Sequence, residues 1–337
     1  MIRFAVILGF SLLFICTLKA QQQKARVMFY NTENLYDPED DSLIADEEFT
    51  PAGSRAWSNT RLYKKLNNIA KVFIAAGEWD MPAIIGLCEI ENRNVINKLV
   101  HYTPLKKTDY RIAHYESPDP RGVDVALLYR ADKFKMVSKR AIPIRFPGDS
   151  TSRTRDILYV KGILMGCDTL HIFVNHWPSK YGGTGASLPK RIAVARILRQ
   201  YTDSLKAAGV QNILLMGDFN DTPEDASVME VLGACRDTAN CTSGLVNLMW
   251  PLVANPVVGT HKYAGHWSII DQIIVSKPLF EGRSKLKIIK AQVFRAEFLL
   301  QPDAAHSGMM PFRTFSGFKY EGGFSDHLPI IADILVK

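Results

Sequence analysis

Strong polar residues end or interrupt six apolar runs of this sequence, and they are the residues best suited to chemistry. A carboxylate at the end of a buried strand is costly unless it is paired, hydrogen-bonded or bound to a metal. One such residue alone is more often a turn former, a cap or a satisfied core group. Six together indicate one polar centre, formed by Asn31 and Glu33, Glu89 and Glu91, Asn175 and His176, Asp218 and Asn220, Asp271, and Asp326 and His327.

The types of these side chains narrow the chemistry. Carboxylate and amide oxygens without a cysteine partner favour hard cations such as Mg²⁺, Mn²⁺ or Ca²⁺ over zinc. Histidines that adjoin Asp or Asn suit proton transfer and the stabilisation of developing charge. The pattern therefore predicts a metal-assisted acid–base centre.

Such a centre needs strands that end at one edge of a sheet, and the sequence supplies them. Apolar residues at helical spacing predict helices over 61–76, 95–100 and 187–205. Many strands follow one another directly while the helices flank the set, which favours two sheets packed face to face with helices outside. We predict one domain over residues 21–337, with strands at 26–30, 83–88, 110–115, 123–129, 157–164, 170–174, 212–216, 269–275 and 328–334.

The first twenty residues have the features of a secretory leader. Arg3 gives a positive charge, residues 4–18 are almost wholly apolar, and Ala20 precedes a run of glutamines. The apolar run is shorter than the roughly 20 residues that span a bilayer. We therefore predict a signal peptide over residues 1–20 and export to the periplasm or the medium, with an uncleaved anchor as the alternative. We predict no transmembrane segment in the mature chain.

Export changes how the cysteines and the charge are interpreted. In an oxidising compartment Cys235 and Cys241 are near enough in sequence to close a small loop, and buried thiols are an equal alternative. The formal net charge is +7, and the leader holds two of the positive charges, so the mature chain carries +5. A mild basic excess suits a polyanionic partner such as nucleic acid, although it is common in other proteins as well.

Six ordered motifs make the chain similar to a known family. Each motif is weak alone, but their order resembles the endonuclease/exonuclease/phosphatase superfamily, and in particular its exported bacterial members. The resemblance implies an α/β fold: a four-layer sandwich of two packed, mainly antiparallel sheets flanked by helices, with the active site at one edge. The motifs are FYNTENL at 29–35, IGLCEIEN at 85–92, VNHWPS at 174–179, MGDFND at 216–221, IDQII at 270–274 and FSDHLP at 324–329.

The resemblance also implies which residues hold a metal. Glu89 matches the principal metal-binding carboxylate of the family, and Asn31 the residue beside it that helps to hold the metal or its water. Asp326 matches a further carboxylate that binds metal or orients a histidine. The implied cofactor is Mg²⁺, with Mn²⁺ or Ca²⁺ as alternatives.

The catalytic residues are implied in the same way. Asp218 matches the aspartate that aims or activates the attacking water, and Asn220 matches the amide that holds the phosphate or the metal. His176 matches the general acid of the nuclease branch and is expected to be oriented by Asp271. His327 matches the histidine at the scissile phosphate.

Three functions remain open from the sequence. Export, the basic balance and the His176 segment favour a secreted, monomeric, non-specific nuclease acting on DNA or RNA. The same metal site would serve a phosphatase or phosphodiesterase for a small phosphoester or a phospholipid head group, because only the surrounding loops differ. The third candidate is a non-catalytic binding protein on the same fold, which the presence of Glu89, Asp218 and His327 disfavours.

Several other positions have two interpretations. Arg153 and Arg155 either clamp a phosphate or are ordinary surface arginines. Asp124 either lies near the site or is a polar residue of a hairpin. Residues 91–92 either support the site or start a helix, and residues 309–312 form either a membrane-facing patch or ordinary packing.

Overall fold

A computed structural model describes residues 23–149, 151–180 and 182–337, and the predicted signal peptide lies outside them. No helix in these ranges is long and apolar enough to cross a membrane. The α-helices are α1 Asn59–Gly77, α2 Arg93–His101, α3 Thr184–Ala207, α4 Trp250–Val253 and α5 Lys277–Glu281. The strands are β1 Gln23–Leu35, β2 Ile84–Ile90, β3 Tyr110–His114, β4 Asp124–Arg130, β5 Phe134–Ile142, β6 Ile157–Leu164, β7 Asp168–His176, β8 Ile213–Asp218, β9 Ala234–Cys235, β10 Leu245–Asn247, β11 His261–Tyr263, β12 His266–Ser268, β13 Asp271–Ser276, β14 Leu286–Val293, β15 Leu300–Pro302, β16 Met309–Pro311, β17 Phe315–Ser316, β18 Lys319–Tyr320 and β19 Ile330–Val336.

Thirteen of these strands form two large sheets. The first sheet has the order β14-β19-β1-β2-β4-β3, and the second has the order β5-β6-β7-β8-β13-β10-β9. Neighbouring strands are antiparallel except in the pairs β1–β2, β7–β8 and β9–β10. The remaining strands form three small hairpins, β11–β12, β15–β16 and β17–β18.

Three apolar layers hold the sheets and helices together. The middle layer lies between the sheets, where Phe29 and Val27 of the first meet Val174 and Met216 of the second. A second layer packs α1 and α2 against the outer face of the first sheet. A third packs α3 against the outer face of the second sheet. The predicted four-layer α/β sandwich with mainly antiparallel sheets is therefore confirmed.

The two sheets approach closely at Gly86 of β2. A Cβ at this position would lie 2.5 Å from Met216 Sδ and 3.1 Å from the Phe29 ring. Side chains in a close-packed core have little room to give way, so a larger residue here would push the sheets apart. Gly86 is three residues before Glu89 in the same strand. The close approach of the sheets at Gly86 therefore also sets the position of the Glu89 carboxylate relative to the second sheet.

The elements predicted from apolar patterns are all present, with bounds that differ by a few residues. α1, for example, starts after Ser58, whose hydroxyl accepts from Arg61 N, and ends at Gly77. Asn92 is the N-cap of α2 and accepts a hydrogen bond from Val95 N, so this residue starts a helix. The sequence pattern missed β5 and β14, the outer strands of their sheets, whose exposed and buried residues do not alternate cleanly.

Cys235 and Cys241 form a disulfide in the structure, while Cys88 and Cys167 are free. Closing a loop with a sequence separation of six removes entropy from the unfolded chain. We therefore expect reduction to lower the free energy of unfolding by about 2 kcal/mol. Urea unfolding with and without a reductant measures this, and a Cys235→Ser/Cys241→Ser variant is the control, because reductant should not change its midpoint. Equal midpoints for the oxidised and reduced native chain would contradict the prediction.

Candidate active site

The polar residues predicted from sequence meet where strands of both sheets end. In the first sheet, Asn31 of β1 lies opposite Cys88 of β2, one residue before Glu89. In the second sheet, His176 lies opposite Asp218 across β7–β8, and Asp218 lies opposite Asp271 across β8–β13. Because β1 and β2, like β7 and β8, are parallel, their carboxyl ends share one edge, and the packing of the sheets brings the two edges together.

A break in the β2–β4 ladder turns Glu89 out of its strand. The register of β2 shifts between Cys88 and Ile90, and Glu89 has a φ of 58°. A non-glycine residue in this region costs free energy and often marks a functional position. Glu33, Asn34 and Asn220 have the same left-handed backbone, with φ between 50° and 54°. Four of the nine non-glycine residues with a left-handed φ among the described residues therefore lie around the site.

Asn31 connects the carboxylates of the two sheets. Its side-chain nitrogen donates to Glu89 Oε1 at 3.2 Å and to Asp218 Oδ2 at 3.1 Å. Glu89 Oε2 also accepts from Asn34 N at 2.8 Å. The Asn31 amide oxygen is engaged by Glu33 N, which fixes the orientation of the amide.

Two histidines approach Asp218 from different sides. His176 Nε2 lies 3.8 Å from both Glu89 Oε1 and Asp218 Oδ2. His327 Nε2 lies 3.9 Å from Asp218 Oδ2. Burial raises the pKa of Asp218 to about 7, and repulsion from Asp271 adds to that rise while His327 opposes it. Burial lowers the pKa of His176 well below its usual value, and the nearby Arg155 and Arg121 lower it further.

Asp271 pairs with His327, so the predicted pairing of Asp271 with His176 is corrected. His327 Nδ1 lies 2.7 Å from Asp271 Oδ2. The reason is the strand order: β8 separates the strand of His176 from that of Asp271. His327 reaches Asp271 because Leu328 N bonds to Thr260 O, and the hydroxyl of Thr260 accepts from Asp271 N.

This pairing determines what His327 can do. Burial lowers the pKa of His327, but the Asp271, Asp218 and Asp326 carboxylates outweigh that effect and raise the pKa well above its usual value. The carboxylate holds Nδ1, so Nε2 is left to face the pocket beside Asp218. An imidazole oriented by a carboxylate is suited to donate a proton or stabilise charge.

Asp326 lies on the His327 side of the pocket with His261, a residue that the sequence interpretation missed. The ligand atoms of Asp326, His261 and His327 lie within 4.8 Å of one another. The rings of His261 and His327 pack with centroids 4.8 Å apart. Burial raises the pKa of Asp326, but His327, His261 and Arg313 outweigh burial and lower it. His261 gave no signal because its strand is three residues long and carries no motif.

The loop that carries Asp326 and His327 is tied to β1. Ser325 Oγ donates to Asn31 O at 2.7 Å, and His327 N donates back to Ser325 Oγ at 3.0 Å. The buried Glu33 carboxylate accepts from Thr314 N and Phe315 N at 2.6 and 3.2 Å. These bonds hold the ends of the chain in register, so Glu33 supports the site without facing it.

The remaining predicted residues have structural partners. Asn220 N donates to Asp218 Oδ1 at 2.8 Å and its side-chain nitrogen donates to Trp177 O at 2.9 Å, so Asn220 orients Asp218. Asp124 bonds to His114 Nε2 at 3.1 Å and to Ser117 N at 2.8 Å, within the β3–β4 hairpin. Arg155 is buried in an ion pair with Asp119 at 2.9 Å. Arg155 is therefore not a surface arginine, since its guanidinium is held by Asp119 and by Trp177 O.

The donor set at this edge fits a divalent cation. Glu89 and Asp218 supply carboxylate oxygens, the ligands that Mg²⁺ and Mn²⁺ prefer. The Asn31 oxygen is taken by Glu33 N, and the Asn31 amide nitrogen faces the two carboxylates. Asp271 Oδ1 and His176 Nδ1 are buried without a hydrogen-bond partner among the described residues. Several carboxylates share one buried pocket, and a cation there would relieve their repulsion.

A family profile matches nearly all of the described residues. A profile of the Endonuclease/Exonuclease/phosphatase family matches residues 26–335. The chain therefore belongs to the endonuclease/exonuclease/phosphatase family, whose fold supports metal-dependent hydrolysis of phosphoesters. No match was found among curated protein sequences.

Solved structures share the fold at low identity. An endonuclease/exonuclease/phosphatase family protein from Bacteroides thetaiotaomicron has a TM-score of 0.58 at 15% identity and covers 94% of this chain and 99% of its own. D. rerio TDP2 complexed with a single-strand DNA product has a TM-score of 0.56 at 13% identity, covering 92% and 98%. The human Nocturnin catalytic domain with bound sulfate has a TM-score of 0.55 at 18% identity, covering 94% and 98%.

Proposed function

We propose that this protein is an exported, Mg²⁺-dependent phosphodiesterase that cleaves nucleic acid without sequence specificity. The observation that carries the proposal is the convergence of Glu89, His176 and His327 on Asp218, with Asp271 behind His327. Export is supported by the leader-like residues 1–20 and by a disulfide in the mature chain.

Each residue of the site would have a separate role in hydrolysis. Glu89 would hold the cation, with Asn31 donating to Glu89 and Asp218 beside it and Asp326 at the far side of the pocket. When bound, the cation would neutralise the phosphate and the charge that develops on it. Asp218, aimed by Asn220 N, accepts the proton of the attacking water. His327, held by Asp271, donates to the leaving oxygen, and His176 donates a hydrogen bond to a phosphate oxygen.

Two further candidates follow from the same site. A small phosphoester or a phospholipid head group would use the same catalytic groups, since substrate choice depends on the surrounding loops. A non-catalytic binding protein would be expected to lose one or more of Glu89, Asp218 and His327, which all stand together here.

The deciding assay uses purified protein with supercoiled plasmid DNA, RNA and bis(p-nitrophenyl) phosphate. Each is tested with Mg²⁺, Mn²⁺ or Ca²⁺, and with EDTA. We expect nicking of plasmid and cleavage of RNA with metal and neither with EDTA. Turnover of the small diester without cleavage of nucleic acid would favour the small-substrate function. No turnover of any substrate with any metal would contradict the nuclease proposal.

A further inference from the structure

A cleft of about 850 Å³ opens beside the active site. It begins at Pro178 and Ser179, which directly follow His176 and Trp177. His176 and Ser179 are three residues apart, so their Cα atoms lie within about 11 Å of each other. Arg155, at the inner wall, donates to Trp177 O at 2.7 Å and so ties the cleft to this segment.

The cleft is lined by more cations than carboxylates. Its four basic residues are Arg121, Arg153, Arg155 and Lys190, and its two acids are Glu48 and Asp119. Glu48 pairs with Arg55 at 3.1 Å, and Asp119 pairs with the buried Arg155 at 2.9 Å. Because each carboxylate is already engaged by an arginine, the cleft has a net positive field.

Arg121 lines the cleft from a firmly held loop. Tyr36 Oη donates to Arg121 O at 2.7 Å, and Ala45 N donates to Pro120 O at 2.8 Å. Gly122 has a φ of 65° and a Cβ there would meet Ile44 at 2.2 Å, so the loop requires glycine. The Arg121 side chain is nevertheless 49% exposed, and its contact with Asp119 is 3.5 Å. The backbone is fixed, while about half of the side chain stays exposed to the cleft and the solvent.

Lys190 supplies a second cation from another wall. It lies on α3, and its Nζ donates to Ser152 Oγ at 3.0 Å. No carboxylate among the described residues lies within ion-pair distance of it. A guanidinium and an ammonium on two walls of one cleft form a binding site for an anion rather than an internal ion pair.

We propose that this cleft binds a second phosphate of the substrate, the one next to the scissile linkage along a nucleic-acid strand. The inference rests on the proposed nuclease function and deepens it. It predicts a preference for strands with at least two phosphates over a single diester linkage. Arg121 and Lys190 are the residues that set this preference.

The test compares two substrates, a thymidine dinucleotide with one phosphate and a thymidine trinucleotide with two. We expect the native protein to show a kcat/KM about tenfold higher for the trinucleotide, more than its extra linkage supplies statistically. Arg121→Gln and Lys190→Gln should bring the ratio towards the statistical value of about two, mainly through KM, and Arg121→Lys should restore part of the preference. Lys287→Gln is the matched control, because Lys287 pairs with Leu335 at the end of β19 remote from His327 and lines a different cavity.

A binding experiment separates this inference from the proposed function. Fluorescein-labelled thymidine trinucleotide is titrated in EDTA, and the affinity is followed by anisotropy at several salt concentrations. Each Gln variant should weaken binding and lower the slope of log affinity against log salt by about one. If the variants bind more weakly but the native protein shows no turnover, the result supports phosphate binding by the cleft and refutes the proposed nuclease activity. If both Gln variants keep the native preference for the trinucleotide, or the native binding affinity, the proposal that the cleft binds a second phosphate is wrong.

Discussion

Glu89→Gln is expected to lower the kcat of phosphodiester hydrolysis about a thousandfold. The substitution keeps the shape of the side chain and its hydrogen bond from Asn34 N but removes the charge that a cation needs. It also removes one of the two carboxylates that face His176.

The variant is checked by two independent measurements. The first is kcat on plasmid DNA and bis(p-nitrophenyl) phosphate with saturating Mg²⁺. The second is the rise in Tm when Mg²⁺ is added, which ligand binding to the folded state produces in the native protein and which should vanish in the variant. Glu230→Gln, an exposed glutamate outside the site, serves as the control. Native-like metal dependence of both kcat and Tm in Glu89→Gln would refute the assignment of Glu89.

Asp271→Asn should lower kcat by about two to three orders of magnitude, nearly as much as His327→Gln. The carboxylate lies 2.7 Å from His327 Nδ1, so an amide would lose the charge that holds the imidazole in its donating state. Because both residues act as one unit, the double variant should be little worse than either single variant.

The double-mutant cycle also tests the corrected pairing. Asp271→Asn combined with His176→Gln should be close to additive, since Asp271 contacts His327 and not His176. Single-turnover rates on plasmid DNA measure all four combinations, and Asp237→Asn, on an exposed loop, controls for the exchange of aspartate for asparagine. Strong coupling between Asp271 and His176, with none to His327, would contradict the geometry.

Much of the architecture could be predicted because buried strands and amphipathic helices leave a periodic pattern. The outer strands β5 and β14 could not, because one side of each faces solvent or loops and the alternation is lost. The strands of hairpins such as β11–β12 have three residues each, too few to show an alternation of apolar and polar residues. The disulfide between Cys235 and Cys241 depended on three-dimensional distance, which sequence proximity alone left undecided.

The sequence predicted in large part which polar side chains lie together, but not how they pair. Carboxylates and imidazoles at strand ends were visible as interruptions of apolar runs. The structure brings most of them to one edge, whereas Glu33 and Glu91 accept hydrogen bonds from backbone nitrogens outside the pocket. Which histidine Asp271 contacts depends on strand order, which the sequence does not display. His261 lacked any marker, and Arg155 is buried by Asp119 through a loop contact 36 residues away in sequence.

The position of β19 between β1 and β14 has a consequence for synthesis. His327 and the strand that follows it leave the ribosome after the other residues of the site, while Asn31 and Glu89 leave early. A nascent polypeptide therefore holds the proposed cation-binding residues without the proposed proton donor, and β1 lacks one neighbour until β19 is made. Under the proposed function, hydrolytic capacity would appear in one late step, and a product truncated before His327 would be inert toward the nucleic acids of the cell that makes it.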